Sequence, residues 1–153
     1  MAEGVFSKLD ESLQKALDER EWIPTPVQQV TQDDIAAGKD RLVVAPTGSG
    51  KTMAAILPLL DRCLREEWAG MSILYITPLR ALNRDVDRRL EEITSAVGLT
   101  LGLRHGDTPQ SERNKHVRKP PNVMITTPET FQLMFTGSRS VSYTHLRAHE
   151  TLL

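Results

Sequence analysis

The segment Ala45-Pro-Thr-Gly-Ser-Gly-Lys-Thr52 sets two glycines, a lysine and a closing hydroxyl at a spacing suited to phosphate chemistry. Gly48 and Gly50 let the backbone turn so that successive N–H groups point inward, Lys51 can reach the β/γ-phosphates of a nucleotide, and the Thr52 hydroxyl can hold Mg²⁺. Ala45 stands where the usual pattern has its first glycine. The apolar run Leu42, Val43, Val44 ahead of the loop and the helix-prone stretch behind it supply the strand–loop–helix setting that such a site requires.

The elements that must position this loop follow from the alternation of patterns. Strands are predicted at Leu42–Ala45, Ser72–Thr77, Leu99–Arg104 and Asn122–Thr127, each rich in β-branched or aromatic residues. Helices are predicted at Lys51–Glu67, Leu79–Ser95 and, shorter and polar, Gln110–Val117. Pro58 is expected to kink the first of these or end it early. Upstream, Ser7-Lys-Leu-Asp10 reads as a capping box opening an amphipathic helix with Leu9, Leu13, Ala16 and Leu17 on one face. Strands alternating with helices predict an α/β domain with a mainly parallel sheet.

Two junctions repeat. Ser72–Thr77 runs into Thr77-Pro78, and Asn122–Thr127 runs into Thr127-Pro128, each ahead of a helix-forming segment. Threonine is a good N-cap, and proline suits the first helical position because the N–H it lacks would be unpaired there. Taken alone these are well-capped βα junctions. Beside a nucleotide loop they gain weight, since the carboxyl edge of a parallel sheet is where ligands bind and free N–H groups there suit phosphates. A second row of phosphate sites suggests a polynucleotide backbone. Another helix start lies at Ile23-Pro-Thr-Pro-Val-Gln28, with Thr25 as N-cap and Pro26 at the first position. Gln28 reads either as the capping-box partner of the Thr25 N–H or as an amide matched to the adenine edge.

Composition bounds the class. A chain of 153 residues, 39% hydrophobic and 25% charged, is sized for one globular domain with a buried core. A net charge of −1 excludes a global basic field. Charge is uneven, however: the first 34 residues carry eight acids, while Arg104 to Lys119 holds five basic residues against Asp107 and Glu112. A single cysteine, Cys63, excludes an internal disulfide, the start lacks signal-peptide features, and no apolar run approaches the roughly 20 residues of a membrane span. A reduced, cytoplasmic protein with no membrane partner is expected.

Together these segments resemble the superfamily 2 helicases, and within them the large helicase-related (Lhr) family. PTPVQ at 24–28 is similar to the Q motif, APTGSGKT at 45–52 to motif I, TPLRAL at 77–82 to motif Ia and TTPE at 126–129 to motif Ib. LYITPLRALNRDV at 74–86, RHGDTPQSER at 104–113 and KPPNVMITTPET at 119–130 resemble Lhr sequences. The resemblance implies a partial RecA-like, P-loop NTPase, three-layer fold. It implies an ATP and Mg²⁺ site formed by Thr25, Gln28, Pro46, Thr47, Gly48, Ser49, Gly50, Lys51 and Thr52, with Thr52 on the metal. It also implies a path for one nucleic-acid strand, typically DNA, along Pro78, Arg80, Gly106, Thr127 and Pro128.

The departures bear on activity. Hydrolysis in this family needs an Asp-Glu pair on a later strand, yet beyond Thr127 the only acids are Glu129 and Glu150. The second RecA-like lobe with its arginine fingers is also missing, so no catalytic residue is assigned, and the chain is expected to bind nucleotide weakly without hydrolysing it. VSYTHLRAHET at 141–151 resembles a translated sequencing adaptor, an agreement with a chance on the order of 10⁻¹⁴, so His145 and His149 are not read as a metal site. The expected organisation is a helical lead-in at 1–20, a truncated first lobe at 21–140 and a non-native tail at 141–153. The competing readings are a P-loop nucleotide-binding module and a small-molecule kinase with no nucleic-acid track.

Overall fold

The structure, a computed structural model, describes residues 4–78, 84–136 and 151–152. They fall into two compact units, 1–67 and 68–153.

The first unit is helical. After a 3₁₀ turn at Val5–Lys8, α1 (Glu11–Asp18) starts at Asp10, whose carboxylate accepts from the Ser12 N–H at 3.0 Å. The helix thus begins three residues later than the Ser7 capping box predicts. Asp10 accepts from both the N–H and the hydroxyl of Ser12, bonds that also hold its carboxyl below the usual carboxylate range. The predicted face is buried as expected through Leu9, Leu13, Ala16 and Leu17. Next come α2 (Pro26–Ala36), starting at the predicted Pro26, and α3 (Lys51–Arg65), which pack on each other.

Pro58 does not end α3, which continues for seven residues to Arg65. The ring removes one hydrogen bond and costs about 3 kcal/mol. Ile56, Leu57, Leu59, Leu60 and Cys63 around it are all buried, and that apolar area outweighs the cost.

A second correction concerns Leu42–Ala45. Residues 41–46 are not a strand: they have no ladder partner among the described residues, and Leu42 and Val44 are 91% and 87% exposed. Apolar β-branched sequence favours extended backbone, but a strand exists only where a neighbour completes its hydrogen bonds.

The second unit carries the sheet. Its elements are β1 (Ile73–Ile76), α4 (Arg84–Ala96), β2 (Leu101–Arg104), α5 (Gln110–Arg118), β3 (Val123–Thr126), α6 (Pro128–Thr136) and β4 (Thr151–Leu152). Strand order is β2-β3-β1-β4 and every pairing is parallel, so the α/β expectation holds. Three predicted strands therefore form, β1 and β3 trimmed by one residue at each end and β2 by two at its start. Asn122 aligns their starts: its side chain accepts from the Thr100 N–H at 3.0 Å and donates to Gly70 O at 3.3 Å. Met71, Leu74, Ile76, Met124 and Met134 form a buried cluster with Val117 and Phe131 against it. Among the described residues no helix is long and apolar enough to cross a membrane.

Candidate nucleotide loop and sheet edge

Unit 1 builds the phosphate loop onto the first turn of α3. The chain turns through Gly48 at φ 79° and Gly50 at φ 87°, a region that glycine enters without the steric cost of a side chain. Ser49 N–H closes the turn on Pro46 O at 3.3 Å. The Lys51 ammonium folds back onto its own loop, donating to Ala45 O and, at 2.9 Å, to Pro46 O. The Ser49 hydroxyl is buried with no hydrogen-bond partner. An orphaned buried hydroxyl costs about 1–3 kcal/mol.

Both observations fit a bound phosphate. Such a group gives Ser49 an acceptor and lets Lys51 exchange two neutral carbonyls for an anion, a stronger charge-assisted contact. Thr52, at the second position of α3, places an oxygen donor of the type Mg²⁺ prefers on the same turn. Pro46 and Thr47 are exposed at the tip of the loop.

Gln28 joins this loop from α2. It is 2% exposed, its Nε2 donates to Gly50 O at 3.3 Å, and its Oε1 accepts from the Thr25 N–H at 3.1 Å and the Trp22 indole N–H at 3.3 Å. The capping role is thus real on the Gln28 side. Thr25 has the geometry of the reciprocal half, but its Oγ1 is buried without a hydrogen bond. In this state the Gln28 oxygen has both lone pairs occupied and its amino group one N–H to spare, so reading a base edge requires an exchange of partners. Trp22 is a residue that sequence reasoning missed, although an indole donor three residues before a cap was visible there.

Unit 2 gathers most of the second group of residues on one sheet edge. The ladders pair Ile76 with Thr126 and Thr126 with Arg104. Pro78, Pro128 and Gly106 each follow by two residues the last paired row of three adjacent strands, Pro128 at the first position of α6 and Gly106 in the turn after β2. Thr77 N–H donates to Thr126 O at 2.9 Å, continuing the alignment past β1. Thr127 caps α6: its Oγ1 lies 3.0 Å from Thr130 Oγ1 and 3.4 Å from the Thr130 N. Arg80 and the rest of 79–83 lie outside the described residues, as do His145 and His149. Among the described residues no cluster of three metal-ligating side chains occurs.

Beyond β2 the chain makes a tight turn. Thr108 N–H donates to His105 O at 3.1 Å, His105 N–H to Thr108 Oγ1 at 2.8 Å, and Asp107 N–H to His105 Nδ1 at 3.2 Å. Among the backbone N–H groups of 105–108, that of Gly106 has no partner among the described residues, and Gly106 is exposed. A Cβ built there meets nothing within 4 Å, and its φ is not in the left-handed region. Neither backbone conformation nor internal packing demands glycine at 106. Behind this turn, His116 of α5 packs beside Gly102 and Pro121 with its Nδ1 buried and unpartnered. Burial pushes its pKa below the ordinary imidazole value, with Arg104 and Lys115 adding to the shift and Glu112 opposing it.

The model of the DEAD/DEAH box helicase family matches residues 25–149 and so runs into the segment expected to be non-native. The Lhr helicase/uracil glycosylase of Escherichia coli is 40% identical over 160 residues, which take in 87% of this chain and 10% of that protein. Among solved structures, Mycobacterium smegmatis helicase Lhr bound to ssDNA and AMP-PNP superposes with a TM-score of 0.78 at 35% identity, covering 94% of this chain and 20% of that one. The DEAD-box helicase Mss116 bound to ssRNA and UDP-BeF gives a TM-score of 0.72 at 26% identity, covering 83% and 27%. The chain thus spans a tenth to a quarter of the length of these relatives.

Proposed function

Because the chain belongs to the DEAD/DEAH box helicase family, we propose that it is the N-terminal, ATP-binding part of an ATP-dependent helicase or translocase of the Lhr type, acting in the cytoplasm on single-stranded DNA. In this reading residues 1–20 are a lead-in, 21–140 the first part of a RecA-like lobe and 141–153 a non-native tail. Thr25, Gln28 and Pro46 to Thr52 hold the nucleotide, Thr52 through Mg²⁺. Pro78, Arg80, Gly106, Thr127 and Pro128 line the strand. ATP bound there would supply the γ-phosphoryl group and Mg²⁺ would neutralise its charge for the hydrolysis that drives movement in the complete protein.

One observation carries the nucleic-acid half of the proposal: Gly106, Pro128 and Pro78 all follow the carboxyl ends of adjacent parallel strands, two residues past one paired row. Contacts from such an edge to phosphates are independent of base sequence, as translocation requires, and need no strongly basic domain. Turnover calls for groups this chain does not contain, an Asp-Glu pair ending an apolar strand and the arginine fingers of a second lobe, the latter worth about 10³–10⁵ in rate. Nucleotide binding without hydrolysis is therefore the activity proposed for the chain itself.

Anisotropy of a fluorescent ATP analogue and of fluorescein-labelled (dT)15 tests this. Both ligands bind the chain in the presence of Mg²⁺, and Lys51→Ala lowers affinity for the nucleotide at least tenfold while sparing the oligonucleotide. Nucleotide binding with no oligonucleotide binding at low salt would leave the small-molecule kinase or plain P-loop module as the better description.

A further inference from the structure

We propose that Arg113 is a positioning residue for nucleic-acid binding, acting through the turn that presents the Gly106 N–H. This rests on the reading of the sheet edge given above and assigns a role within it. Arg113 lies on the first turn of α5. Its Nε donates to Thr108 O at 2.8 Å, and its Nη2 donates to Gly106 O. One planar guanidinium therefore holds two carbonyls of the same turn, a geometry a lysine cannot reproduce. The other backbone N–H groups of the turn are paired internally, His105 with Thr108 Oγ1, Asp107 with His105 Nδ1 and Thr108 with His105 O.

The Gly106 N–H is the one backbone donor of the turn with no partner among the described residues, at an exposed position where a Cβ would meet nothing. A glycine that neither φ nor packing explains, carrying that donor, fits the close approach of an external acceptor. Like Pro128 and Pro78 it follows the carboxyl end of one of three adjacent strands, so the acceptor is a phosphate oxygen of the bound strand. Arg113 commits its Nε and Nη2 donors to carbonyls of the turn. Its contribution is to fix where that N–H points, and the short basic cluster around it need not touch the strand at all.

The test compares (dT)15 affinity and its salt dependence for the chain and for Arg113→Ala, Arg113→Lys and Gly106→Ala. Arg113→Ala is expected to weaken binding about five- to tenfold with the slope of log K against log salt unchanged, because a neutral N–H contact releases no counterion. Arg113→Lys is expected to fail to restore affinity, and Arg113→Ala to add nothing in a Gly106→Ala background. Should Arg113→Ala not fold, Thr108→Val removes only the hydroxyl that accepts from His105 N–H and is expected to weaken binding in the same direction. Unchanged affinity in Arg113→Ala and Thr108→Val would overturn the proposal. So would a slope reduced by about 0.7 with full rescue by lysine, which is the signature of a direct phosphate contact. If the unaltered chain binds no oligonucleotide, the sheet-edge reading itself fails and takes this role with it.

Discussion

Gly48 and Gly50 share a left-handed backbone but not an environment, and alanine at each should cost different amounts. At Gly48 a Cβ meets nothing within 4 Å, so the penalty is conformational, about 1–2 kcal/mol. At Gly50 the same φ penalty applies, but the Cβ would sit 2.7 Å from Gln28 Nε2, 3.1 Å from Thr25 Oγ1 and 3.3 Å from Thr25 Cγ2. Gln28 is buried and tied at both ends of its amide, so it cannot yield without losing the bond to Gly50 O. Leaving such a group unsatisfied costs about 1–3 kcal/mol more. Urea unfolding without nucleotide, followed by the emission of Trp22, which touches Gln28 directly, measures the difference. With a slope of about 1–3 kcal/mol per molar, the midpoint of Gly50→Ala should lie on the order of 1 M below that of Gly48→Ala. Adding Gln28→Ala removes the closest contact, so Gly50→Ala should then cost less than it does beside Gln28, the remaining excess over Gly48→Ala coming from the Thr25 contacts. Equal midpoints for the two glycine variants would show that Gln28 is not held against the loop in the free chain, and the link from Q motif to loop would fail.

Three further outcomes are expected. Gly102→Ala places a Cβ 2.5 Å from Pro121 Cγ and 3.1 Å from His116 Nε2, and overpacking of this kind should lower stability by about 1–3 kcal/mol in a denaturant melt. Burial of His116 depresses its folded pKa below the ordinary imidazole value of about 6.5, so the unfolded chain binds its proton first. Stability from this source is therefore complete above about pH 6.5 and is lost as pH falls below it; a melting temperature that drops from pH 7.5 to 5.5 in the unaltered chain, and by less in His116→Phe, checks the sign. Trp22→Phe removes the indole donor to Gln28 Oε1 and should cost about 0.5–1.5 kcal/mol, with (dT)15 binding untouched.

The chemistry of this protein was legible wherever it depends on neighbours in sequence. The loop at 45–52, the Thr25-Pro26 and Thr127-Pro128 helix starts and the apolar strands β1, β2 and β3 all follow from local residue types, because capping, φ preference and strand propensity act over a few residues. The helix start at Asp10 instead of Ser7 shows the limit of the same logic: several acceptors compete, and reach to the Ser12 N–H settles it. The unpaired state of Leu42–Ala45 was not legible, since a ladder partner is a tertiary fact that propensity cannot supply. Nor was the passage of α3 through Pro58, which depends on how much apolar surface surrounds the ring. Only the tertiary structure decided that Gln28 closes on Gly50 across 22 residues, and that Gly106, Pro128 and Pro78 follow the ends of three neighbouring strands. It also gave Arg113 its work on two carbonyls of the preceding turn. Composition determined which groups were available; register and packing determined which of them meet, because hydrogen bonds and strand ladders act over about 3–5 Å whatever the distance along the chain.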